Sequence, residues 1–448
     1  MKKTDIMKKI EEKDIKILRL LYIDNDGMIR GYTSQQDTME KVLDNGYCIA
    51  SGMPYFTAHD TLVEDSELGP VGEFRIVPDM STFKILPYAQ KSAAVITDIK
   101  TQKFDESEVC SRSSLKRIIE NSPFEAYASF ENEFYLLKEN ENGEIVPADS
   151  SLCYTSRGMD VQNEISLDII EALDQQDIVV EKYHPEYGPG QQEYCLKYSP
   201  VLQMADKQVF FRDTVRAIAE SHDLIASFMP KPFEQYAGCG SHINFSLWRN
   251  GQNVFYDGDD RHGLSEVAYN FIGGLLKHID SVCAFTASTV NSYKRLVPHA
   301  WASAYGCYGF NNREAAVRLP STHFHSHTSS KDSVRLEFKP ADPTCNPYLA
   351  LSAITAAGLD GVKNNIDPGA PVKIEPGKMS QKEREEKGIT SLPNSLNEAI
   401  NALEKNDYFR KMFGDKMIDE YVAMKRQDWS DFMGHVSKWE FDKYFDIF

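Results

Sequence analysis

The sequence predicts an α+β protein made of a small N-terminal domain of β-grasp-like type, residues 1–108, and a larger domain, residues 109–448. Three observations support this prediction. The chain has 448 residues, of which 42% are hydrophobic, so it can bury more than one core. Strand-like runs with turn signals fill most of the N-terminal part. Farther along, strand and helix patterns alternate irregularly, and no internal repeat is present.

The N-terminal elements begin with a predicted β-hairpin at residues 15–33, where two apolar runs flank the turn sequence DNDG. The apolar face of this hairpin needs a cover. A helix is expected next, over residues 34–45, because apolar side chains recur there at helical spacing. Further short strands follow as far as Ile99 and complete the predicted N-terminal domain.

The larger domain is predicted to contain several helices that serve packing. Helix patterns occur over residues 115–121, 159–175, 205–227 and 264–286. From Asn346 onward the chain is predicted to be mostly helical. The expected interruptions of these C-terminal helices are Gly358, Gly361 and a charged loop at residues 378–387.

Composition and charge exclude some classes of partner. The formal net charge is −18 without a basic stripe, which argues against nucleic acid or an anionic membrane as partner. No apolar run reaches the roughly 18 residues of a membrane span, and no signal peptide is recognisable. The eight cysteines are scattered, as in a reducing compartment. We therefore predict a cytoplasmic protein whose acidic surface provides solubility, or also attracts divalent cations.

Paired glutamates are the first candidate functional residues. The stretch SFENEFYLL at residues 129–137 is typical of a strand, which places Glu131 and Glu133 on one face. Carboxylates crowded on a half-buried sheet need cations, and Mg²⁺ prefers carboxylate oxygens. On its own the pair is more typical of a solvated strand face. Glu186 and Glu193, which flank a Gly-Pro-Gly turn, add two carboxylates and favour a metal-binding cage over a solvated loop.

A polar strand face follows in the segment YAGCGSHINFSL at residues 236–247. Its small residues would let the backbone approach a ligand closely, and His242, Asn244 and Ser246 alternate along the strand. A single histidine on a strand usually has a structural role. Beside four glutamates, however, His242 completes a plausible set of oxygen and nitrogen ligands.

Three downstream segments look strand-like and carry cations that can face inward: residues 291–298, 311–320 and 334–340. Guanidinium groups match phosphate oxygens in pairs, so these cations, interleaved with Glu337, predict a polyanion such as ATP. For any single arginine, a surface salt bridge is the ordinary explanation. The cations are Arg295, Arg313, Arg318, Arg335 and Lys339.

Three histidines alternate at His323, His325 and His327. This spacing could bind a transition metal. The surrounding segment is rich in Ser and Thr and has no cysteine nearby, which favours an ordinary loop instead.

Taken in order, these segments resemble the glutamine synthetase family over nearly the whole chain. The most specific matches are NSYKRL, NNREAAVRLP and RLEFKPADPTCNPYLALSAITAAGLDGV. The resemblance implies an ATP-dependent ligase that joins a carboxylate to an amine. It implies a catalytic domain whose curved, mainly antiparallel sheet is flanked by helices. It also implies a homo-oligomer of six-membered rings, hexamer or dodecamer, with active sites between subunits.

The resemblance also implies roles for individual residues. Two or three Mg²⁺ or Mn²⁺ ions are expected per site. One would be held by Glu133, Glu186 and Glu193, and another by Glu131, His242 and Glu337. The residues expected to face the nucleotide phosphates and the transferred phosphoryl group are Arg313, Arg318 and Arg335. Asn244 and Ser246 would lie near the ATP, and Gly238, Arg295 and Lys339 near the acid substrate.

The departures from the family concern the ammonium site. The family carries an acidic residue in the flap after NSYKRLVPG and an Asp-Gly in the N-terminal loop, whereas this sequence has Trp301 and Ser51 at those places. On the acid side, Ala237 replaces an expected Asn, and Lys339 replaces an Arg, which keeps the charge but loses the fork. The metal and ATP residues are complete, but both anionic groups for a small cation are missing.

We therefore predict a ligase that couples glutamate or a related acid to an amine larger than ammonia. Trp301 and Ser51 are the residues expected near the amine, with Trp301 either contacting it or only filling space. Two alternatives stay open. An ordinary glutamine synthetase would build its ammonium site from other residues, and a non-catalytic descendant would keep only the fold. Six intact metal ligands argue against the second.

Overall fold

The structure is a computed structural model that describes residues 1–321 and 330–448. The interpretation of His323, His325 and His327 falls outside these residues. Helices and strands mix along the chain, and the strands form two sheets. This confirms the predicted α+β class. Within the described ranges, no helix is both long and apolar enough to cross a bilayer.

The strands divide between an N-terminal sheet, β1 to β6, and a large sheet, β7 to β18. In chain order they are β1 (Ile17–Ile23), β2 (Ile29–Gln35), β3 (Tyr47–Ala50), β4 (Glu73–Pro78), β5 (Lys84–Ile85), β6 (Ser92–Lys100), β7 (Glu125–Glu139), β8 (Ile145–Pro147), β9 (Val180–Pro185), β10 (Gln191–Leu196), β11 (Ser199–Pro200), β12 (Ile225–Ser227), β13 (Ser241–Arg249), β14 (Gln252–Asn253), β15 (Tyr305–Phe310), β16 (Ala315–Leu319), β17 (Leu336–Phe338) and β18 (Thr390–Ser391).

The helices pack mainly against the large sheet and against one another. They are α1 (Lys3–Glu12), α2 (Met39–Asn45), α3 (Ser111–Glu120), α4 (Ser156–Val161), α5 (Asn163–Asp174), α6 (Val201–Ser221), α7 (Glu266–Lys277), α8 (Ile279–Thr286), α9 (Ser330–Ser333), α10 (Pro347–Asn364), α11 (Gln381–Glu386), α12 (Leu396–Glu404), α13 (Asp407–Phe413), α14 (Asp415–Gly434) and α15 (Lys438–Tyr444).

The N-terminal sheet has the order β2-β1-β6-β4-β3, with β5 beside β6. The predicted hairpin is confirmed, since β1 and β2 pair antiparallel, while β1 and β6 run parallel at the centre. Both faces of this central pair are apolar because each covers a core. Leu18, Leu20 and Val95 face a small core closed by α1 and α2, whereas Leu21 and Ile96 face the main core of the chain.

The large sheet has the order β18-β15-β16-β17-β13-β7-β10-β9, and only β15 and β16 pair parallel along this path. The predicted glutamate-bearing strand is the middle of β7, which pairs with β10 on one side and β13 on the other. Helix α6 packs against β7, and α7, α8 and α10 pack together in the main core. This arrangement fixes the central strands rigidly.

The expectation that Gly358 and Gly361 interrupt a helix is wrong. Helix α10 runs unbroken from Pro347 to Asn364. An added Cβ at Gly361 would come within 2.0 Å of the Asn270 carbonyl oxygen on α7. The missing side chains therefore let α7 and α10 touch, which outweighs the cost of glycine in a helix.

Three further local predictions need correction. Residues 291–298 do not form a strand, because Thr289 and Ser292 hydrogen-bond to each other at a turn and Ser292–Lys294 is a 3-10 helix. The charged loop at residues 378–387 contains α11, which begins with a capping box of Ser380 and Glu383. The single helix expected over 264–286 is divided into α7 and α8.

Candidate active site

Glu131 and Glu133 lie on β7 and face the same side of the large sheet, as the alternation predicts. Glu133 is paired with Glu193 on the neighbouring strand β10, and Glu131 is paired with His242 on the neighbouring strand β13. His242 contacts both: its Nδ1 is 3.7 Å from Glu131 Oε2, and its Nε2 is 3.9 Å from Glu133 Oε1. Three neighbouring strands therefore hold four of the six predicted ligands on one face.

The remaining part of this face comes from β9 and β10, which form the predicted antiparallel hairpin around the Gly-Pro-Gly turn. Glu193 is paired with His184 on β9, and Glu186 directly follows that strand. His184 Nε2 lies 3.3 Å from Glu193 Oε1, and its Nδ1 lies 3.4 Å from Glu186 Oε2. One donor atom from each of these three buried residues lies within 4.8 Å of the others.

Glu337 completes a second group on the neighbouring strand β17. Donor atoms of Glu131, His242 and Glu337, the three residues predicted for one metal ion, lie within 4.8 Å of one another. The Glu337 carboxylate also accepts hydrogen bonds from Arg318 Nη1 at 2.5 Å and from Lys339 Nζ at 3.4 Å. Lys339, which was expected near the acid substrate, thus directs its ammonium group toward the cluster.

The charges in this cluster are unevenly balanced. Burial, followed by the carboxylates of Glu133 and Glu193, raises the pKa of Glu186 to about 7. Burial likewise raises the pKa of Glu133. Burial also disfavours the charged form of Glu337, but Lys339 and the other nearby cations hold its pKa below the ordinary value. The cluster therefore lacks positive charge at Glu186 and is better neutralised at Glu337.

The residues fit a divalent metal ion. Among the residues that the structure describes, Glu186 Oε2 is buried and has no hydrogen-bond partner, since the neighbouring His184 Nδ1 faces the Pro185 carbonyl at 3.3 Å. A buried carboxylate oxygen without a partner is costly. A divalent cation would supply both the missing partner and the missing charge. Carboxylate and imidazole donors suit Mg²⁺ or Mn²⁺.

Asn244 connects the cluster to an arginine. Its Nδ2 donates to Glu131 Oε1 at 2.9 Å, and its Oδ1 accepts a hydrogen bond from Arg335 Nε at 2.8 Å. Ser246, on the same face of β13, accepts a hydrogen bond from Trp248 Nε1 at 2.9 Å. These side chains line one cavity of about 490 Å³, a size that suits a nucleotide.

The same cavity has an aromatic wall. Trp248 stacks on Tyr198, with ring centroids 6.5 Å apart and an angle of 10° between the ring planes. The ring centroid of Tyr127 lies 5.5 Å from that of Trp248. All three rings line the cavity. Planar faces of this kind can stack with a planar heterocycle. The cavity therefore joins a surface for a flat ring to the carboxylate cluster.

Arg295 and Gly238 lie next to each other, close to His242 of the cluster. Arg295 is buried and donates from Nη2 to the Pro340 carbonyl at 2.6 Å. A Cβ at Gly238 would lie 2.7 Å from Arg295 Cγ, and one at Gly240 would lie 2.7 Å from His242 Nε2. The small residues before His242 therefore make room for these two side chains.

Ser51 lies apart from the cluster within the described chain. Its hydroxyl donates to the carbonyl oxygens of Gly69 at 2.9 Å and Val71 at 2.8 Å. These contacts tie the end of β3 to the loop before β4. The residue predicted to replace the ammonium-binding Asp therefore does not meet the other site residues of the same chain.

Trp301 and Arg313 meet at the exposed surface beside Glu186 and Tyr187, which we call the mouth of the cluster. The guanidinium carbon of Arg313 lies 5.7 Å from the Trp301 ring centroid, and the Tyr187 ring packs edge-to-face on Trp301 at 5.5 Å. Tyr187 directly follows Glu186 in the chain. The backbone N–H of Trp301 donates to Glu314 Oε1 at 2.7 Å. The flap-like loop around Trp301 thus contacts Arg313, and through Tyr187 it lies next to Glu186 of the cluster.

Comparisons with known proteins identify the family of the chain. Residues 1–108 match the family model for the glutamine synthetase N-terminal domain, and residues 108–444 match the model for the glutamine synthetase catalytic domain. The glutamine synthetase of Thermotoga maritima is 35% identical over 444 residues, covering 97% of both chains. That of Clostridium saccharobutylicum is 35% identical over 450 residues, covering 99% of this chain and 98% of the relative.

Solved structures give the same result. A GmaS/ADP complex in its first conformation superposes with a TM-score of 0.86 at 28% identity, covering 99% of this chain and 100% of the other. A novel glutamine synthase homolog has a TM-score of 0.84 at 26% identity, covering 96% of this chain and 98% of the other. Fold and comparisons together define an ATP-dependent ligase that forms carbon–nitrogen bonds. Within that class, the chain belongs to the glutamine synthetase family.

The sequence analysis missed two residues of the cluster, His184 and Cys195. Cys195 Sγ donates to Glu193 Oε1 at 3.1 Å and lines the cavity. Both residues follow the spacing that identified the first glutamate pair, since each lies two positions from a glutamate of the cluster on the same hairpin. That signal was available in the sequence. The roles of the individual site residues stay predictions.

Proposed function

We propose that the protein uses ATP to phosphorylate a carboxylate, glutamate or a related acid, and joins it to a primary amine larger than ammonia. The observation that carries this proposal is that Glu131 belongs both to the carboxylate cluster and to the wall of the aromatic-lined cavity. A nucleotide whose base lies among the aromatic rings would extend its phosphates toward the cluster. The acid would then be phosphorylated at that end of the cavity.

The cluster would hold two or three Mg²⁺ or Mn²⁺ ions through the six predicted ligands, with His184 as a further candidate. When bound, such ions offset the repulsion between a carboxylate and a phosphate. Positive charge around the transferred phosphoryl group would come from Arg318 and Arg335, with Arg313 at its outer edge beside Trp301. The acid oxygen bonds to the γ-phosphorus as ADP leaves, and the amine nitrogen then displaces phosphate from the acyl phosphate. Arg295 and Lys339, near Gly238, are the cations proposed to hold the acid.

Replacing Trp248 with alanine tests the proposed position of the base. We expect KM for ATP to rise about tenfold with little change in kcat, because a stacked ring is lost far from the reacting phosphate. Steady-state kinetics with ATP as the varied substrate measures this. Trp429, on α14, is outside the residues that line the cavity. Its replacement with alanine is the matched control, and equal effects of the two changes would contradict the placement.

The choice of an amine larger than ammonia is supported by the mouth of the cluster. Trp301 stands there with half of its surface exposed, and no acidic flap residue accompanies it. The structural similarity to a GmaS/ADP complex is in keeping with a ligase other than a plain glutamine synthetase. The ordinary glutamine synthetase is the second candidate, since the curated relatives at 35% identity carry that name.

Phosphate release from Mg-ATP separates these candidates. The purified protein would be supplied with glutamate plus ammonium and, in parallel, with glutamate plus each of several primary amines. Preferential turnover with an amine larger than ammonia is the expected result. Preferential turnover with ammonium would favour the ordinary glutamine synthetase. No phosphate release in any mixture would overturn the proposed reaction.

The assembly is proposed to be a homo-oligomer of six-membered rings with sites between subunits. The C-terminal residues support association, because large apolar side chains there are exposed. They include Met433, Val436, Trp439, Phe445 and Ile447. The isolation of Ser51 from the cluster is in keeping with a contribution from a neighbouring subunit. We also propose a division into domains near residue 108 and a cytoplasmic location, which eight unpaired cysteines support.

A further inference from the structure

Three side chains pack together at the mouth of the cluster, the opening beside Glu186: Tyr187, Trp301 and Arg313. Tyr187 is 54% exposed and Trp301 is 48% exposed, so both rings present apolar surface at this opening. Tyr187 directly follows Glu186, and its ring packs edge-to-face on Trp301 with ring centroids 5.5 Å apart. An amine whose nitrogen reaches the cluster would therefore place its carbon chain along these two rings.

The exposed cation at this opening is Arg313. Arg313 is exposed and lies over the Trp301 ring, so its guanidinium already occupies the cation-binding surface of the indole. The neighbouring carboxylate, Glu314, is only 5% exposed, and its Oε1 accepts the backbone N–H of Trp301. A second ammonium group arriving here would meet a like charge.

We infer that the site takes primary monoamines with an uncharged carbon tail and discriminates against diamines and polyamines. This inference rests on the proposed function, and it names the substrate class. The amine head would be attracted by the carboxylates of the cluster. The tail would contact Tyr187 and Trp301, whereas a terminal ammonium would be repelled by Arg313 and would also lose solvation against the rings.

The test compares propylamine with trimethylenediamine, which has the same carbon chain and a second ammonium at neutral pH. Glutamate and Mg-ATP are saturating, and kcat/KM is measured for each amine and for ammonium. We expect kcat/KM for propylamine to exceed that for trimethylenediamine by about tenfold or more at low ionic strength. The ratio should shrink as sodium chloride is added, because exposed charges are screened. A preference set only by shape would not depend on salt.

Replacing Tyr187 tests the contact with the tail. Tyr187→Ala should lower kcat/KM for propylamine about fivefold relative to ammonium, and Tyr187→Phe should retain the ring contact and the preference. Equal or better turnover of trimethylenediamine, or a ratio insensitive to salt, would overturn the inference and leave the proposed function standing. Turnover with ammonium but with neither amine would overturn both.

Discussion

Replacing Glu133 with glutamine is expected to lower metal-dependent ATP turnover by about 100-fold or more while the fold persists. Glu133 is 8% exposed, and its Oε2 accepts the Gly240 N–H at 2.8 Å. Glutamine keeps the shape and this acceptor but removes the negative charge that a divalent ion requires. Phosphate release at saturating ATP and Mg²⁺ measures the loss, and thermal unfolding verifies the fold.

The control for this change is Glu139→Gln. Glu139 lies at the exposed end of the same strand, β7, outside the three described groups of metal donors. Its replacement should leave turnover within about twofold of the original protein, as expected for an exposed polar substitution. Normal turnover by Glu133→Gln would show that the metal ions are held elsewhere, and the proposed ligand set would fall.

Replacing Arg112 with methionine is expected to destabilise the chain by about 3–5 kcal/mol. Arg112, 3% exposed on α3, joins carboxylates from separate elements. Its Nη1 lies 2.8 Å from Asp98 Oδ1 and 2.9 Å from Asp79 Oδ2, and its Nε and Nη2 each donate to Asp206 at 2.9 Å. Methionine would leave these buried carboxylates without their guanidinium partner. Urea unfolding at fixed protein concentration measures the change.

Acid should reduce this difference. Burial disfavours the charged form of Asp79, but the guanidinium of Arg112 holds its pKa below the ordinary value of 3.8. The stabilisation is therefore complete above that value and is lost as the pH falls through the lowered pKa. Arg117→Met, on the same helix and more exposed, is the control and should cost less than about 1 kcal/mol. Equal destabilisation by both changes would contradict the role given to Arg112.

Periodicity predicted the parts of the fold and site that depend on local sequence. The alternation around Glu131 and Glu133 correctly placed both carboxylates on one face, because a strand leaves no other arrangement. The turn sequences also located two hairpins correctly. The glycines of α10 could not be interpreted from periodicity, because their role depends on contact with a neighbouring helix.

The parts of the site that depend on long-range packing were harder to predict. The aromatic wall combines Tyr127 on β7, Trp248 on β13 and Tyr198 between β10 and β11, and no spacing rule connects these positions. The contact between Arg313 and Trp301 depends on how the flap-like loop returns to the sheet. The orientation of Lys339 toward His242 likewise follows from the register of β17 against β13, which one sequence does not specify.

The most direct test of the proposed reaction follows an oxygen atom. The acid would be labelled with a heavy oxygen isotope in its carboxylates and incubated with Mg-ATP and the preferred primary amine. The account predicts one labelled oxygen in the released phosphate, together with an amide whose mass equals the labelled acid plus the amine less one water that contains the heavy oxygen. Unlabelled phosphate, or phosphate release without the amide, would contradict an acyl phosphate route to a carbon–nitrogen bond.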